Sequence, residues 1–247
     1  QQHADHEALV ARLAAISVMA AGLAHEINNP LAVIGNRIEC MQRDVQEGLN
    51  RTSLASDLGV LQQHVTRLAD LTSSLLRFAR DDQADVGSFT LDALGERVVL
   101  LLRRTFASRG LTLDLEVERP LPEMSGHEKA IETVIVNLLL NAADATPAGG
   151  VVTLTLREGA GREAAEIEVR DTGPGVPAEL RSRVFEPFFT TKATGEGTGL
   201  GLTVCRTIVD RHGGTIVLDS PPMGGCRFII TLPLHPAATP WTALAFS

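Results

Sequence analysis

The stretch at residues 131–145 reads IETVIVNLLLNAADA. It is apolar over about four helical turns, and Thr146, Pro147 and Gly149 follow it directly. Because proline and glycine end helices, the pattern predicts a buried helix over Glu128–Ala145.

Asn137 and Asn141 stand four residues apart and therefore share one face of this helix. Burying an amide without a partner is costly, so each side chain needs a contact. The carbonyl oxygen of an asparagine can bind a hard cation. Two amides can equally well pack between helices. The two residues alone leave both interpretations open.

Helices and strands alternate on both sides of this helix. Since the strands are too many for a parallel doubly wound sheet, the pattern predicts an α+β fold: an α/β sandwich with helices on one face of a mixed sheet. The further helices are expected over 92–108 and about 200–211, and the strands over 111–117, 151–157, 165–170, 215–218 and 227–232.

The first part of the chain has a different periodicity, with apolar residues recurring every seven positions. Such residues form an apolar stripe, or seam, along one face of a helix. The first seam combines two seven-residue series, one of Leu9, Ile16 and Leu23 and the other of Leu13, Ala20, Ile27, Ile34 and Met41. The second seam has Leu54, Leu61, Leu68 and Leu75, offset by Leu58 and Val65. This pattern predicts a helical hairpin over 1–83. Two copies would bury their seams as a four-helix bundle, which makes a homodimer. A single coiled-coil spacer remains an alternative.

The polar stretch DDQADVGS at 81–88 marks the expected domain boundary. A second domain is expected over 87–234. The remainder, 235–247, has no period and is expected to be a disordered tail.

Composition excludes several classes of protein. Hydrophobic residues make up 44% and charged residues 21%, as in soluble globular proteins. A net charge of −8 without a basic cluster argues against a partner that is a nucleic acid or an anionic membrane. No apolar run reaches the roughly 18 residues of a membrane span, and three scattered cysteines fit a reducing compartment. We expect a cytoplasmic fragment whose parent protein is membrane-bound, if at all, through a missing N-terminal sensor region.

Two glycine-rich motifs follow the central helix. Asp171-Thr-Gly173-Pro-Gly175 comes after an expected strand, and its glycines permit a sharp turn and a close approach of a ligand. The run 195–201, GEGTGLG, precedes an expected helix, where backbone N–H groups and the helix dipole favour a polyphosphate. Lys192, just before this run, is able to reach a phosphate.

A histidine two residues after the seam position Leu23, and therefore at the side of the expected bundle, has polar neighbours that set it apart from an ordinary solvated residue. The segment is Ala24-His25-Glu26-Ile-Asn-Asn29-Pro30. Glu26 offers a carboxylate that can hold or deprotonate the imidazole. Asn29 lies one turn further on, and Pro30 is expected to bend the helix beside His25.

The motifs of the second half resemble the N, G1, F and G2 boxes of the ATP-binding domain that histidine kinases share with gyrase, heat-shock-90 and MutL-type ATPases. The resemblance implies that ATP and Mg²⁺ are the cofactors, that Asn141 is the metal ligand, that Asp171 contacts the adenine amine, and that 185–198 forms a lid. The family often has a basic residue where this chain has Asp144, which shifts the phosphate contact toward Lys192. The nucleotide-binding residues implied are Asn137, Asn141, Asp144, Asp171, Gly173, Gly175, Phe185, Lys192, Gly195, Gly197, Thr198, Gly199, Leu200 and Gly201.

The segment around His25 is similar to the phosphoacceptor box of sensor histidine kinases, most of all in the nitrogen-regulation subgroup, and the resemblance extends over 3–234. It implies a protein-histidine kinase that phosphorylates His25 and passes the phosphoryl group to a response-regulator receiver. Glu26 would be the base or orienting partner, and Asn29 would position water for dephosphorylation. The alternatives are an ATP-hydrolysing switch and an inactive receiver-binding scaffold. Asn137 disfavours the switch, because an amide cannot accept a proton from water at neutral pH.

Overall fold

The computed structural model describes residues 27–45, 51–79, 86–118, 120–159, 163–192, 199–220 and 224–235. Its described residues form two compact units. One contains those within Gln1–Asp81 and Pro187–Leu200, and the other those within Asp82–Glu186 and Gly201–Leu244. Of the helices so described, none is both long and apolar enough to cross a membrane. The expected disordered tail beyond His235 lies outside the described residues.

The first unit contains two helices, α1 (described over 27–45) and α2 (Arg51–Ala79). An ion pair of 2.8 Å between Arg37 Nη1 and Asp57 Oδ1 joins the two helices, and Asp57 is only 4% exposed. Pro30 lies inside the helical residues, so it does not end the helix.

An apolar stripe on this hairpin is left exposed. Its members follow a seven-residue spacing on each helix: Leu31, Ile38 and Val45 on α1, and Leu58 and Val65 on α2. The two residues on α2 belong to the predicted second seam, whereas the three on α1 were not singled out. A lone hairpin therefore cannot bury all of its apolar surface.

The second unit combines a five-stranded sheet, a two-stranded sheet and three helices. In the larger sheet the strand order is β2-β4-β5-β7-β6, in which only β2 and β4 run parallel. The elements are β1 Gly87–Thr90, α3 Leu91–Ser108, β2 Thr112–Val117, β3 Glu123–Gly126, α4 Glu128–Ala145, β4 Val151–Glu158, β5 Ala164–Asp171, a 3-10 turn Ala178–Leu180, α5 Gly201–Arg211, β6 Thr215–Asp219 and β7 Cys226–Pro233.

The core of this unit lies between the larger sheet and its helices. Residues of β4 and β7 alternate between buried and partly exposed, as expected for strands with one covered face. On α4, the side chains of Ile131, Ile135, Leu138 and Leu139 are completely buried. The mixed sheet covered by helices confirms the predicted α+β architecture.

The two-stranded sheet was not predicted. β1 pairs with β3 in antiparallel register. Gly87 and Ser88, which were expected in the polar break, are the first residues of β1. Each strand has only four residues, and each contributes one buried apolar side chain, Phe89 or Met124. Such strands show no alternating pattern in the sequence. The backbone N–H of Ser125 also donates to Leu234 O, 2.8 Å away, which ties the chain beyond β7 to β3.

Candidate functional site

Asn137 contributes to the packing of two helices. Its side chain hydrogen-bonds the thiol of Cys205 on α5. Burial raises the pKa of the Cys205 thiol to about 12, and the hydrogen bond with Asn137 opposes that rise. The thiol stays protonated at neutral pH and contacts Val134 O at 3.8 Å. For Asn137 the structure thus provides the contact that the helix-packing interpretation expected.

Asn141 lies one turn further along α4 and faces the start of α5. A side-chain carbon built on Gly201 would be 3.8 Å from Asn141 Nδ2, which is an ordinary contact distance. Because α5 begins at Gly201, its unpaired backbone N–H groups and partial positive charge lie beside this amide. The arrangement combines an oxygen ligand for a cation with donors for an anion.

Asp171 is the last residue of β5 and is only 5% exposed. Its Oδ1 accepts hydrogen bonds from the backbone N–H of Gly173, at 2.8 Å, and of Cys226, at 3.2 Å. Burial raises the pKa of the Asp171 carboxyl, and the two hydrogen bonds oppose the rise. Since both bonds use Oδ1, the other oxygen, Oδ2, is the one available to accept from a ligand.

The turn after Asp171 packs against the end of α4. A side-chain carbon on Gly173 would lie 2.8 Å from Ala145 O, which is too close for any residue larger than glycine. Gly175 has a φ of +78°, a backbone conformation that glycine adopts at little cost. The chain therefore brings the carboxylate of β5 and the asparagines of α4 to the same end of the sheet.

The carboxylate of Asp144 is paired with Arg109, and the distance from Arg109 Nη1 to Asp144 Oδ1 is 2.5 Å.

Phe185 is held by α5 and β7. Its ring makes an edge contact with Phe228 and a cation–π contact with Arg206, while its carbonyl accepts from Thr203 Oγ1 at 3.1 Å. Phe185 therefore anchors the start of the predicted lid.

The described residues of the predicted lid from Pro187 onward belong to the first compact unit. Phe188 N donates to Gly199 O at 3.0 Å, so the backbones of these two residues are in direct contact. Gly199 has a φ of +63°, and a side-chain carbon there would overlap the Phe188 backbone. Lys192 N bonds Thr190 Oγ1, and Leu200 is buried. The predicted phosphate-binding residues Gly195, Gly197 and Thr198 lie outside the described residues.

The predicted phosphoacceptor His25 and its neighbour Glu26 also lie outside the described residues. Asn29 is described and is exposed on α1. A location on the solvated surface of the helix is what a residue acting on a partner requires. The roles of these three residues stay predictions.

The sequence interpretation missed the polar residues that hold the Asp171 turn. Ser220 is 4% exposed and bonds Val176 N and Gly225 O, both at 2.9 Å. Arg181 bonds the carbonyl oxygens of Val176 and Ser220. Serine and arginine in a connecting segment carry no signal of this kind until the fold is known.

Two family models match the chain. Residues 126–236 match the histidine kinase-, DNA gyrase B- and HSP90-like ATPase, and residues 15–84 match the His Kinase A (phospho-acceptor) domain. Sensor histidine kinase ZraS of Escherichia coli K12 is 35% identical over 225 residues. That match covers 91% of this chain and 47% of ZraS, so the chain spans about half the length of this relative.

Solved structures agree with these matches. The catalytic domain of histidine kinase ThkA is 31% identical with a TM-score of 0.56, over 62% of this chain and 97% of that domain. ThkA in complex with response regulator protein TrrA has a TM-score of 0.76 and 27% identity, over 91% of this chain and 64% of ThkA. The chain belongs to the histidine kinase family of two-component systems. The nitrogen-regulation subgroup stays a prediction.

Proposed function

We propose that the chain is the catalytic core of an ATP-dependent protein-histidine kinase. It transfers the γ-phosphoryl group of ATP to His25 and then to an aspartate of a response-regulator receiver domain, and it also dephosphorylates that receiver. The observation that carries the proposal is the meeting of Asp171, the end of α4 and the N-terminus of α5 at one end of the sheet. The two matching family models, one for each half, support it.

The site suits ATP in three ways. Asp171 Oδ2 accepts a hydrogen bond from the adenine amine, which a guanine base does not offer at that position. The N-terminus of α5 binds the phosphates through its backbone N–H groups. Asn141 provides one amide oxygen for Mg²⁺, which prefers oxygen ligands and takes most of them from phosphates and water. Bound Mg²⁺ would supply positive charge that neutralises the triphosphate.

Phosphoryl transfer to His25 requires a neutral imidazole nitrogen. Its lone pair forms the N–P bond as the bond between the γ-phosphorus and the β,γ-bridging oxygen breaks, and ADP leaves with that electron pair. Glu26 accepts the proton of the opposite ring nitrogen, or holds it by a hydrogen bond, as positive charge develops on the ring. Because the transition state is loose, the chain mainly positions the donor and neutralises its charge.

A hydrolytic switch of the gyrase or heat-shock-90 type is not favoured. Such an enzyme needs a general base for water, and this chain has Asn137 where those enzymes have a glutamate. The Asn137 amide is also engaged with Cys205. Water is therefore poorly activated, and ATP is not hydrolysed before the imidazole of His25 attacks it. An inactive scaffold is disfavoured because the nucleotide motifs and the phosphoacceptor segment are both present.

The partners proposed are a second copy of the chain and a receiver domain. Two hairpins would cover the exposed stripe of Leu31, Ile38, Val45, Leu58 and Val65 in a four-helix bundle. ThkA, which resembles this chain in sequence and fold, is the kinase of the complex with response regulator TrrA. Asn29, which is exposed on α1 and follows His25 by four residues in the sequence, would position water against a phosphorylated receiver.

Labelling with γ-³²P-ATP tests the function. The wild-type chain should acquire label that is acid-labile and base-stable, as expected for phosphohistidine. His25→Gln should acquire none while its ATP affinity stays within about twofold, because the nucleotide site lies in the other half of the chain. His64→Gln, on α2 of the same hairpin, is the matched control and should label normally. Label that persists in His25→Gln would contradict the assignment.

A further inference from the structure

We propose that Arg181 is a positioning residue for the base-contacting carboxylate of Asp171. Its guanidinium joins the turn after Asp171 to the connection between β6 and β7, and so fixes the direction of Asp171 Oδ2. The inference rests on the proposed function, because it presupposes that Asp171 contacts adenine.

The guanidinium of Arg181 bridges two backbone segments. Its Nε donates to Val176 O at 3.1 Å, and its Nη2 donates to Ser220 O at 2.6 Å. Val176 and Ser220 are 44 residues apart in the chain. Because the guanidinium is a rigid planar fork, two such bonds fix the distance between the carbonyls. Arg181 lies just after the 3-10 turn Ala178–Leu180, which brings it back toward Val176.

Ser220 completes the same junction from the other side. Its hydroxyl accepts from Val176 N and donates to Gly225 O, each at 2.9 Å. A side-chain carbon on Gly175 would lie 2.5 Å from Ser220 Oγ, so the two segments are already in the closest contact that glycine allows. The junction is therefore a closed set of directed bonds, and Arg181 is its charged member.

The junction controls both hydrogen bonds that orient Asp171. One donor, Gly173 N, belongs to the turn, and the other, Cys226 N, belongs to the start of β7. Gly225 N donates to Gly173 O at 2.7 Å and links the two donors. If the turn and the β6–β7 connection separate, the two donors no longer converge on Oδ1. The carboxylate then rotates, and Oδ2 loses its direction toward the base.

Arg181 acts through position rather than through its charge. The pKa of the Asp171 carboxyl is governed by burial and by the hydrogen bonds from Gly173 and Cys226. A lysine at 181 would retain the positive charge, but its single ammonium group does not match the fork that spans two carbonyls. The conservative variant therefore separates the two explanations.

The test compares the affinities of the full chain for ATP and for inosine triphosphate, whose base has an oxygen in place of the amine. Arg181→Met should reduce the ratio of these affinities by roughly three- to tenfold, because a misdirected charged hydrogen bond is lost for ATP only. Arg104→Met, at an exposed arginine of α3, is the matched control and should leave the ratio unchanged. Arg181→Lys should behave like Arg181→Met, and a full ATP preference in that variant would overturn the positional argument.

A second comparison separates this inference from the proposed function. If the wild-type chain shows no preference for ATP, the proposed base site is wrong. If Asp171→Asn loses the preference while Arg181→Met retains it, the base site stands and only the present inference fails. An equal loss of affinity for both nucleotides in Arg181→Met would show a merely structural role and would also overturn it. The double variant should show the same ratio as Asp171→Asn; a further fall would place the action of Arg181 elsewhere.

Discussion

Replacing Asp171 by asparagine should weaken ATP binding and stabilise the unliganded protein. Asparagine retains an Oδ1 acceptor for Gly173 N and Cys226 N, but it presents an amide N–H₂ in place of Oδ2. The lost hydrogen bond to the charged oxygen is worth about 1.5–3 kcal/mol, which predicts roughly a 10- to 150-fold loss of ATP affinity. Inosine triphosphate, which has an oxygen in place of the amine, should not lose affinity and should bind the variant at least as tightly as the wild type, because the asparagine N–H₂ can donate to that oxygen.

The effect on stability has the opposite sign. Burial raises the pKa of Asp171 above its ordinary value, so the ionised carboxylate at neutral pH destabilises the folded state. Each unit by which folding raises the pKa of the carboxyl costs the folded state about 1.4 kcal/mol at neutral pH. Removing the charge should raise the free energy of unfolding by that amount. The difference in free energy of unfolding between the variant and the wild type should shrink as the pH falls through the pKa of Asp171 in the folded state toward its pKa in the unfolded chain. In that range the wild-type carboxyl also becomes neutral.

Two measurements check this prediction. Calorimetric titration gives the affinities for both nucleotides, and urea denaturation between pH 4 and pH 8 gives the free energy of unfolding. Asp144→Asn is the matched control, because Asp144 is an exposed carboxylate paired with Arg109. The protein should not become more stable when this charge is removed. An Asp171→Asn protein that is less stable at neutral pH, or that binds ATP as tightly as the wild type, would contradict the role assigned to the Asp171 carboxylate.

Two further substitutions test the metal site and the dimer. The affinity of Asn141→Ala for ATP should no longer rise when Mg²⁺ is added, because an oxygen ligand is lost. Titrations with ATP in the presence of Mg²⁺ and of EDTA check this. An increase in affinity as large as that of the wild type would contradict it. Ile38→Glu, within the exposed stripe of the hairpin, should shift the chain from dimer to monomer by at least about tenfold in dissociation constant. Sedimentation velocity measures the shift, and Leu100→Glu, at a residue 71% exposed on α3, should leave the dimer intact.

Elements with strong local signals were predictable from the sequence. The bounds of α4 agree with the prediction because its apolar residues are continuous and Pro147 and Gly149 stop the helix. β4, β5 and β7 alternate clearly, and their ends differ from the prediction by one residue or so. β1 and β3 were missed because two strands of four residues, with one buried side chain each, show no periodicity.

The contacts that organise the site were less predictable. Asn137 and Asn141 stand out because asparagines inside an apolar helix are unusual, and Asp171 stands out because a glycine-rich turn follows it. Their partners do not stand out, since Asn137 bonds Cys205 from another helix and Asp144 bonds Arg109 from 35 residues away. Long-range pairs of this kind depend on the packing of whole elements, and a local pattern contains no information about it.

The bond between Ser125 N and Leu234 O has a consequence for how the sheet unit can be joined to other domains. β3 lies between the start of β1 and Leu234, the residue after β7, so Gly87 and Leu234 are about two strand spacings, or roughly 10 Å, apart. The first residue of β1 and the residue after β7 are thus close enough to be joined by a short linker. A circular permutant that joins Leu234 to Gly87 through a short glycine–serine linker, with new ends between β4 and β5, should fold without disturbing Asp171 or α4.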